Sequence, residues 1–265
     1  MATRRPRRPK SPTARLERSL VADGFQLVAG LDEVGRGAWA GPVSVGAVVH
    51  SFAKRPPSGI RDSKQLSEPQ REELFPKVAG WCTEWSVGHA SPQECDAHGM
   101  TRALRLAAHR ALAQLSMQPE VVLLDGNFDY VTEPPTEPDT EPVTEPEPEP
   151  KVDAGVVPQP TSASERGPAT AAPAPVRLAV TRFATPVVRT VVKGDTTCLS
   201  VAAASIMAKV TRDRMMRSWS ESFPPFDFDR NKGYPSPSHR TALSGFGLTS
   251  IHRRSWAFVD DLVFR

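Results

Sequence analysis

The segment at residues 131–176 limits what this 265-residue chain can fold into more than any other feature. It begins as a degenerate Thr-Glu-Pro repeat, continues as an Ala/Pro/Ser stretch and holds 12 of the chain's 27 prolines. Proline removes backbone donors and like charges repel, so we predict an extended, disordered insertion without a core. A tolerated loop expansion is the simpler interpretation, and a charged strip that mimics phosphate or binds a partner is the alternative.

The insertion separates two blocks, at 25–130 and 177–265. Neither block alone has a closed pattern of strands and helices, so we expect a single domain over 25–265 that the insertion interrupts. The arginine-rich residues 1–24 predict a basic disordered arm that leads into a short helix at 14–22.

Charge is distributed unevenly between the insertion and the rest of the chain. Eight acidic residues and one lysine give 131–160 a formal charge of −7, and the net charge of the whole chain is +3. The remainder therefore carries +10, which suits a polyanionic partner such as nucleic acid, although basic surfaces also occur without one.

Hydrophobic periodicity predicts an α/β fold. The expected architecture is a mixed central β-sheet with helices on both faces and further helices at the C-terminus. The predicted strands are 26–34, 43–49, 83–89, 121–124 and 187–192, and the predicted helices are 67–78, 101–115, 196–219, 236–245 and 255–263.

Four acidic residues lie at or just beyond predicted strand ends: Asp32, Glu33, Asp125 and Asp195. Each one alone is more simply a turn or capping residue. Four at one corner of a sheet indicate a divalent metal site, because clustered carboxylates repel and oxygen ligands favour Mg²⁺ or Mn²⁺ over zinc. Neighbouring strand residues point to opposite faces, so Asp32 and Glu33 share a site only if the strand bulges or one of them stands behind the other.

The sequence argues against a membrane-spanning or secreted protein and against one built on disulfides or a cysteine-rich zinc site. No run approaches the ~18 apolar residues of a membrane span, and no apolar stretch follows the basic N-terminus as in a secretory signal. The three cysteines are an odd number without CxxC spacing, which argues against a disulfide scaffold or a cysteine-rich zinc site and favours the cytoplasm.

Seven collinear motifs run through both blocks. They are GLDEVGRGAWAGPV (30–43), DSKQLSE (62–68), LLDGN (123–127), VVKGD (191–195), AAASIMAKVTRD (202–213), NKGYPSPSH (231–239) and HRRSW (252–256). In this order they closely resemble the bacterial ribonuclease HII family, and seven motifs together are far more specific than one.

The resemblance implies a ribonuclease H-like fold and metal-dependent cleavage of RNA in RNA–DNA hybrids and 5′ of single ribonucleotides in duplex DNA. The products would carry 3′-hydroxyl and 5′-phosphate ends. Two Mn²⁺ or Mg²⁺ ions are implied at the site with substrate bound, on Asp32, Glu33, Asp125 and Asp195. The implied substrate-binding residues are the GRG loop, which senses the 2′-hydroxyl, the tyrosine that packs on the sugar, and a lysine near the backbone: Gly35, Arg36, Gly37, Tyr234 and Lys64.

Several residues have competing interpretations. Lys64 is equally well a solvated lysine at a helix start. Asp213 rivals Asp195 as the fourth carboxylate, but its position on a helix between two arginines predicts a structural ion pair. His239 and His252 are expected to be surface or capping residues, with phosphate contact as the second interpretation and metal ligation as the third. The Arg253–Arg254 pair either contacts substrate backbone or forms a solvated face.

The sequence is compatible with three functions. A hybrid-cleaving nuclease is the main prediction, with a non-catalytic nucleic-acid-binding module on the same fold as the alternative. A related nuclease that cuts only long hybrids is the third, and the GRG loop and Tyr234 argue against it. The expected partners are RNA–DNA hybrid and ribonucleotide-containing duplex DNA, with no membrane, a monomeric state and no protein partner assigned.

Overall fold

A computed structural model of the chain describes residues 11–50, 54–132 and 186–259. Its centre is a five-stranded sheet in the order β3-β2-β1-β4-β5. The strands are β1 (Val28–Val34), β2 (Val43–Val49), β3 (Glu84–Ala90), β4 (Val121–Asp125) and β5 (Val187–Val191). Strand β5 belongs to the second block of the chain and pairs with β4 of the first, so the two blocks share one sheet.

The sheet is mixed. Strands β1, β2 and β3 form an antiparallel meander, whereas β4 runs parallel to both β1 and β5. All seven residues of β2 are buried, as expected for a Val/Ala/Gly-rich strand that is covered on both faces.

Helices cover both faces of this sheet. The bounds are α1 (Arg15–Ala22), α2 (Glu68–Trp81), α3 (Pro92–Ala113), α4 (Gly194–Thr197), α5 (Leu199–Ser222), α6 (Phe228–Asn231) and α7 (Pro237–Phe246). Helix α3 packs Leu104 and Ala107 against one face, and α2 and α5 pack Val78 and Ile206 against the other. This arrangement confirms the predicted α/β class with a mixed sheet between two helical layers. No helix in the described ranges is long and apolar enough to cross a membrane.

Most element boundaries differ from the predictions by a few residues, and three differ more. Helix α3 begins at Pro92 rather than at residue 101, because Ser91 and Glu94 form a capping box and Gly99, with a φ of 73°, joins two helical segments. The long helix expected from residue 196 is divided by Cys198, which has extended backbone angles. In place of a helix at 255–263 there is a 3₁₀ turn, Ala257–Val259, and residues 260–265 lie outside the described part.

Part of the predicted disordered arm at 1–24 is folded onto the domain, and the short helix predicted at 14–22 is α1 (Arg15–Ala22). From Ser11 onward the chain packs on the domain: Thr13 bridges to Cys198, and Leu20 of α1 is buried with Val28 and Val201. The fully buried Glu17 accepts hydrogen bonds from the N–H and hydroxyl of Ser200 and so caps the first turn of α5. Residues 1–10 lie outside the described part of the chain.

Of the predicted insertion, only the first two residues are described. Val131 is buried in the core beneath α3, and its carbonyl oxygen lies 2.8 Å from His109 Nε2. The prediction of an extended segment at 131–176 otherwise falls outside the described residues.

Glycines let the helices approach the sheet closely. A Cβ added at Gly88 of β3 would lie 2.0 Å from the Ala107 carbonyl oxygen of α3, and one at Gly46 of β2 would lie 2.6 Å from the Ala204 carbonyl oxygen of α5. The backbones of helix and sheet therefore touch at these positions, and no side chain fits between them.

We predict that Gly88→Ala lowers the free energy of unfolding by about 1–3 kcal/mol through overpacking. Gly80→Ala is the matched control, because Gly80 is an exposed residue of α2 and a Cβ added there would meet no described atom within 4 Å. Its replacement should raise stability by about 0.5–1 kcal/mol. Urea unfolding of both variants measures the difference, and equal stabilities would contradict the close packing of α3.

Candidate active site

A cleft of about 410 Å³ opens at the carboxyl end of β1. Its walls come from the end of β1, the following loop, the 3₁₀ turn Ser63–Gln65, α5 and the loop after α6. The lining residues are Asp32, Glu33, Val34, Gly35, Arg36, Gly37, Ser63, Lys64, Ser205, Lys209 and Tyr234. Two of the four predicted carboxylates and all five predicted substrate-binding residues therefore line this cleft.

Asp32 and Glu33 both reach the cleft although they are consecutive on β1. The last β1–β4 residue pair is Leu31↔Leu124, so the following residues stand at the open end of the sheet, where both sides of the strand border the cleft. One Asp32 carboxylate oxygen accepts a hydrogen bond from the Glu33 N–H at 2.9 Å. Glu33 in turn accepts one from the Tyr130 hydroxyl at 3.3 Å.

Burial and mutual repulsion disfavour the ionised forms of these two acids. Burial raises the pKa of Asp32 to about 8; a Ser205 hydrogen bond opposes this, and the Glu33 and Asp125 carboxylates add to it. Burial also raises the pKa of Glu33, against the effect of the Arg36 guanidinium, whose Nη1 lies 3.9 Å from Glu33 Oε1. Ionisation of this pair is therefore unfavourable unless a positive charge is added nearby.

Asp125 and Asp195 stand beside the cleft. Asp125 ends β4, and its Oδ1 lies 3.4 Å from the backbone nitrogen of Asp195 in α4. Burial raises the pKa of Asp195, and the Asp125 and Asp62 carboxylates raise it further. All four acids are thus gathered at one corner of the sheet.

Lys64 interacts electrostatically with acids of both groups, Asp32 in the cleft and Asp195 beside it. Its Nζ lies 3.9 Å from Asp195 Oδ2, and three-quarters of its side chain is exposed. Although its partial burial acts in the opposite direction, the carboxylates of Asp32, Asp62 and Asp195 raise the pKa of Lys64. Asp62 fixes this residue by capping the 3₁₀ turn, where it accepts a hydrogen bond from the Lys64 N–H at 2.9 Å. Both interpretations of Lys64 agree with this exposed position at the cleft wall.

The donor set suits a hard divalent cation in its chemistry. All four acids offer oxygen ligands, and uncompensated charge of this kind is what such a cation relieves. Within the described ranges, however, no three His, Cys, Asp or Glu side chains converge closely enough to hold one ion between them. The carboxylates are therefore neighbours that would have to close around a metal.

The loop after β1 contains Gly35 and Gly37, and the absence of a side chain has a different consequence at each position. Gly35 has a φ of +85°, and a Cβ there would lie 2.3 Å from Arg212 Nε, so the fold itself requires it. Its N–H donates to the Tyr234 hydroxyl at 3.2 Å, which holds the tyrosine over the loop. A Cβ added at Gly37 would meet no described atom within 4 Å, so the missing side chain leaves open space at the cleft.

Comparison with known proteins assigns the chain to a family. The family model for ribonuclease HII matches residues 29–145 and 171–259. A ribonuclease HII from Streptomyces griseus is 45% identical over 255 residues, which covers 95% of this chain and 86% of that protein. The chain belongs to the ribonuclease HII family.

Solved structures agree with this membership. The ribonuclease H2 of Pyrococcus horikoshii is 26% identical with a TM-score of 0.61, over 89% of this chain and 96% of that one. A ribonuclease HII of Archaeoglobus fulgidus, solved as a complex with PCNA, is 26% identical with a TM-score of 0.58, over 87% of this chain and 95% of that one. The family match omits residues 146–170, which lie inside the predicted insertion.

The rival carboxylate Asp213 has a structural role, as predicted. It is buried on α5, and its two oxygens lie 2.6 Å from Lys209 Nζ and 3.7 Å from Arg71 Nη2. Arg71 in turn donates to the carbonyl oxygens of Ser63 and Leu66, next to Lys64. The Asp213–Arg71 ion pair therefore stabilises the backbone around Lys64, which forms part of the cleft wall.

Sequence reasoning missed two buried arginines that support the loop. Arg212 donates to the carbonyl oxygens of Ala40, Pro42 and Lys232, and Arg253 donates to those of Gly35, Arg36 and Gly41. Both side chains are fully buried. For Arg253 this is neither of the two predicted roles, because the residue contacts the protein's own backbone; Arg254 is exposed. A sequence shows the charge of an arginine but not its burial.

His239 and His252 are also buried, which corrects the surface or capping positions expected for them. Their Nε2 atoms lie 2.9 Å apart. The Thr249 N–H donates to His252 Nδ1, so the proton of neutral His252 is on Nε2 and points at His239 Nε2. The His239 proton is then on Nδ1 and is donated to the Tyr234 carbonyl oxygen at 3.0 Å. This chain of hydrogen bonds fixes the backbone of Tyr234 and requires both rings to be neutral.

We predict that the histidine pair makes stability fall with falling pH. Burial lowers the pKa of His239, and burial together with His239 lowers the pKa of His252 to about 3. Below the unfolded pKa of about 6.5 the unfolded state binds more protons, so the stability present at neutral pH is lost toward pH 3. Between pH 7.5 and 5.5, His252→Gln should lose at least about 1 kcal/mol less unfolding free energy than the wild type.

Urea unfolding at the two pH values measures this difference. His98→Gln, at an exposed position on α3, is the control and should keep the wild-type dependence. An equal loss of stability in His252→Gln and the wild type would contradict the neutral, hydrogen-bonded pair.

Proposed function

We propose that this ribonuclease HII family member is a metal-dependent endoribonuclease that cleaves RNA in RNA–DNA hybrids and 5′ of single ribonucleotides in duplex DNA. The products carry 3′-hydroxyl and 5′-phosphate ends. The observation that carries the proposal is the cleft in which the Gly35–Tyr234 hydrogen bond stands next to Asp32 and Glu33. A group that can recognise a sugar thus lies beside a cluster of carboxylates.

Asp32, Glu33, Asp125 and Asp195 are the proposed ligands of Mn²⁺ or Mg²⁺, two ions with substrate bound. Such ions, when bound, neutralise charge and activate water for attack on a phosphodiester. The pKa values of Asp32, Glu33 and Asp195, which burial raises and neighbouring carboxylates raise further, agree with this assignment because a bound cation would favour the ionised forms. The acids themselves hold their positions through the Tyr130 hydroxyl and backbone N–H groups.

Substrate recognition falls to the loop at 35–37 and to Tyr234. The exposed backbone of Arg36 and Gly37 borders the cleft, where it offers polar groups to a ribose 2′-hydroxyl. Tyr234 lines the same cleft and accepts a hydrogen bond from the Gly35 N–H, and its ring is the proposed packing surface for the sugar. A duplex without the hydroxyl would leave these groups unpaired, which is the physical route to strong discrimination.

Nucleic acid as the partner agrees with the charge of the chain. The formal charge of +10 outside residues 131–160 favours a phosphate backbone, and the exposed Lys64 ammonium stands at the cleft wall for one such contact. We expect a monomer in the cytoplasm, and the three cysteines agree with a reducing compartment because all are buried free thiols.

The main alternative is a nucleic-acid-binding module without catalysis. Four gathered acids argue against it, since carboxylates beside phosphates weaken binding unless a metal neutralises them. A nuclease limited to long hybrids is disfavoured in this proposal, because the contact with Gly35 places Tyr234 at the loop, where its ring could pack on a single sugar.

We predict metal-dependent cleavage of a DNA duplex that carries one ribonucleotide. A labelled duplex should be cut 5′ of the ribonucleotide with Mg²⁺ or Mn²⁺ and not with EDTA. Asp125→Asn should reduce the rate at least about a hundredfold. Asp23→Asn is the matched control, because Asp23 is an exposed residue just after α1 and should leave the rate unchanged.

Other outcomes of the same assay decide between the functions. Cutting of long hybrids alone would indicate the hybrid-only nuclease. Cutting of neither substrate by folded protein would leave the binding module. Unchanged cleavage in Asp125→Asn would contradict the proposed metal ligands.

We also predict that Gly37→Ala folds normally but cleaves poorly. Its added methyl group meets no described protein atom within 4 Å, so it should disturb only a substrate that approaches the loop. The value of kcat/KM should fall about tenfold or more with little change in Tm. Gly245→Ala, at an exposed position of α7 that is equally free of neighbours, is the control and should behave as the wild type. Full activity of Gly37→Ala would show that substrate does not approach this position.

A further inference from the structure

Arg253 holds the loop at 35–37 from inside the protein. Its Nη2 donates to the Gly35 carbonyl oxygen at 2.7 Å and its Nη1 to the Arg36 carbonyl oxygen at 2.9 Å. Its Nε donates to the Gly41 carbonyl oxygen at 3.2 Å, and its backbone N–H donates to that of Trp39. One guanidinium thus binds both ends of the turn that borders the cleft.

These contacts determine where the backbone N–H groups of the loop point. A trans peptide carries its C=O and the following N–H on opposite sides, and the described residues contain no cis peptide bond. Because Arg253 draws the carbonyl groups of Gly35 and Arg36 inward, the N–H groups of Arg36 and Gly37 point outward. Both residues are exposed and line the cleft.

Neither N–H group is used by the fold. Gly35 N–H binds Tyr234 and Ala38 N–H binds the Gly35 carbonyl oxygen, whereas those of Arg36 and Gly37 donate to no described residue. Two adjacent free donors that face the same cleft form a recognition element for an oxygen atom of a substrate.

The chemistry of arginine suits this task. The fully buried cation is satisfied by three carbonyl dipoles, and in the described residues no carboxylate lies within ion-pair distance of it. The face of Trp256 lies 5.0 Å from its guanidinium carbon and adds a further favourable contact. A planar fork can bind two neighbouring carbonyls at once, which the single ammonium of lysine cannot reproduce.

We propose that Arg253 is a positioning residue for ribonucleotide specificity: by binding the carbonyl groups of Gly35 and Arg36, it aims the N–H groups of Arg36 and Gly37 at the 2′-hydroxyl. This inference rests on the proposed function. A purely structural role would make Arg253 important for stability and for all DNA binding alike. The positioning role makes it important for the difference between two duplexes.

The test measures that difference directly. In an Asp125→Asn background, which should slow cleavage enough for binding to be measured, Kd is determined for two duplexes that differ only in one 2′-hydroxyl. The parent should prefer the ribonucleotide duplex. Arg253→Ala and Arg253→Lys should reduce the preference about tenfold or more, roughly one hydrogen bond or better, while Kd for the all-DNA duplex stays nearly constant. Added guanidinium chloride should restore the preference in Arg253→Ala, and sodium chloride of equal ionic strength should not.

Two controls separate positioning from loss of stability or charge. Leu104→Ala removes core volume beneath α3, far along the chain from the loop, and should lower Tm but keep the preference. Arg254→Met removes an exposed neighbouring charge and should weaken both complexes equally. If Arg253→Ala is too unstable to assay, Arg253→Lys keeps the charge and still lacks the fork.

The outcomes are distinguishable. Loss of preference in the Arg253 variants with restoration by guanidinium supports the inference. A preserved preference in a folded Arg253 variant overturns it, as does an equal loss in Leu104→Ala. A parent without any preference for the ribonucleotide duplex overturns the proposed function, and the inference with it, before any Arg253 variant is made.

Discussion

Parallel pairing of β4 with both β1 and β5 is the constraint on which the site depends. Leu31 pairs with Leu124 and Asp125 with Val191, so the carboxyl ends of three strands meet at one edge of the sheet. Asp32 on β1 and Asp125 on β4 directly follow the paired residues Leu31 and Leu124. The short turn after β5 brings Asp195 beside Asp125. A slip of one residue between β1 and β4 would shift Asp125 along the sheet edge relative to Asp32 and turn its side chain to the other face.

The same geometry leaves the site electrostatically incomplete. Desolvation and mutual repulsion disfavour ionisation of Asp32, Glu33 and Asp195, and the Lys64 ammonium approaches Asp195 only to 3.9 Å. The buried arginines do not relieve this, since Arg212 and Arg253 bind backbone carbonyl groups. Charge in this protein therefore has two separate uses: the carboxylates and Lys64 serve the cleft, and the buried guanidinium groups of Arg212 and Arg253 hold the shape of the loops around it.

The division between what the sequence predicts and what it conceals follows the same line. The Val/Ala/Gly-rich composition of 43–49 placed β2 correctly to the residue, and the apolar run at 121–124 ended at Asp125 as expected. The roles of Arg253, His239 and His252 could not be found this way, because the sequence shows that these side chains are polar but not that tertiary packing buries them. Gly35 and Gly37 likewise look equivalent in the sequence. The positive φ and the close packing at Gly35 require a glycine there, whereas neither applies at Gly37.

The connection between β4 and β5 explains how the family fold tolerates extra chain at residues 146–170. Both sides of this connection are fixed independently of its length: Val131 is buried beneath α3, and the Val187 N–H donates to the Glu120 carbonyl oxygen at 2.8 Å. Closing a flexible loop between fixed points costs only about 0.6 kcal/mol more for each doubling of its length. Parallel strands need a long crossover in any case, so an insertion there changes neither the register of β4 and β5 nor the position of Asp125 and Asp195. The length of the connection and the position of the site are thus separate properties of this fold.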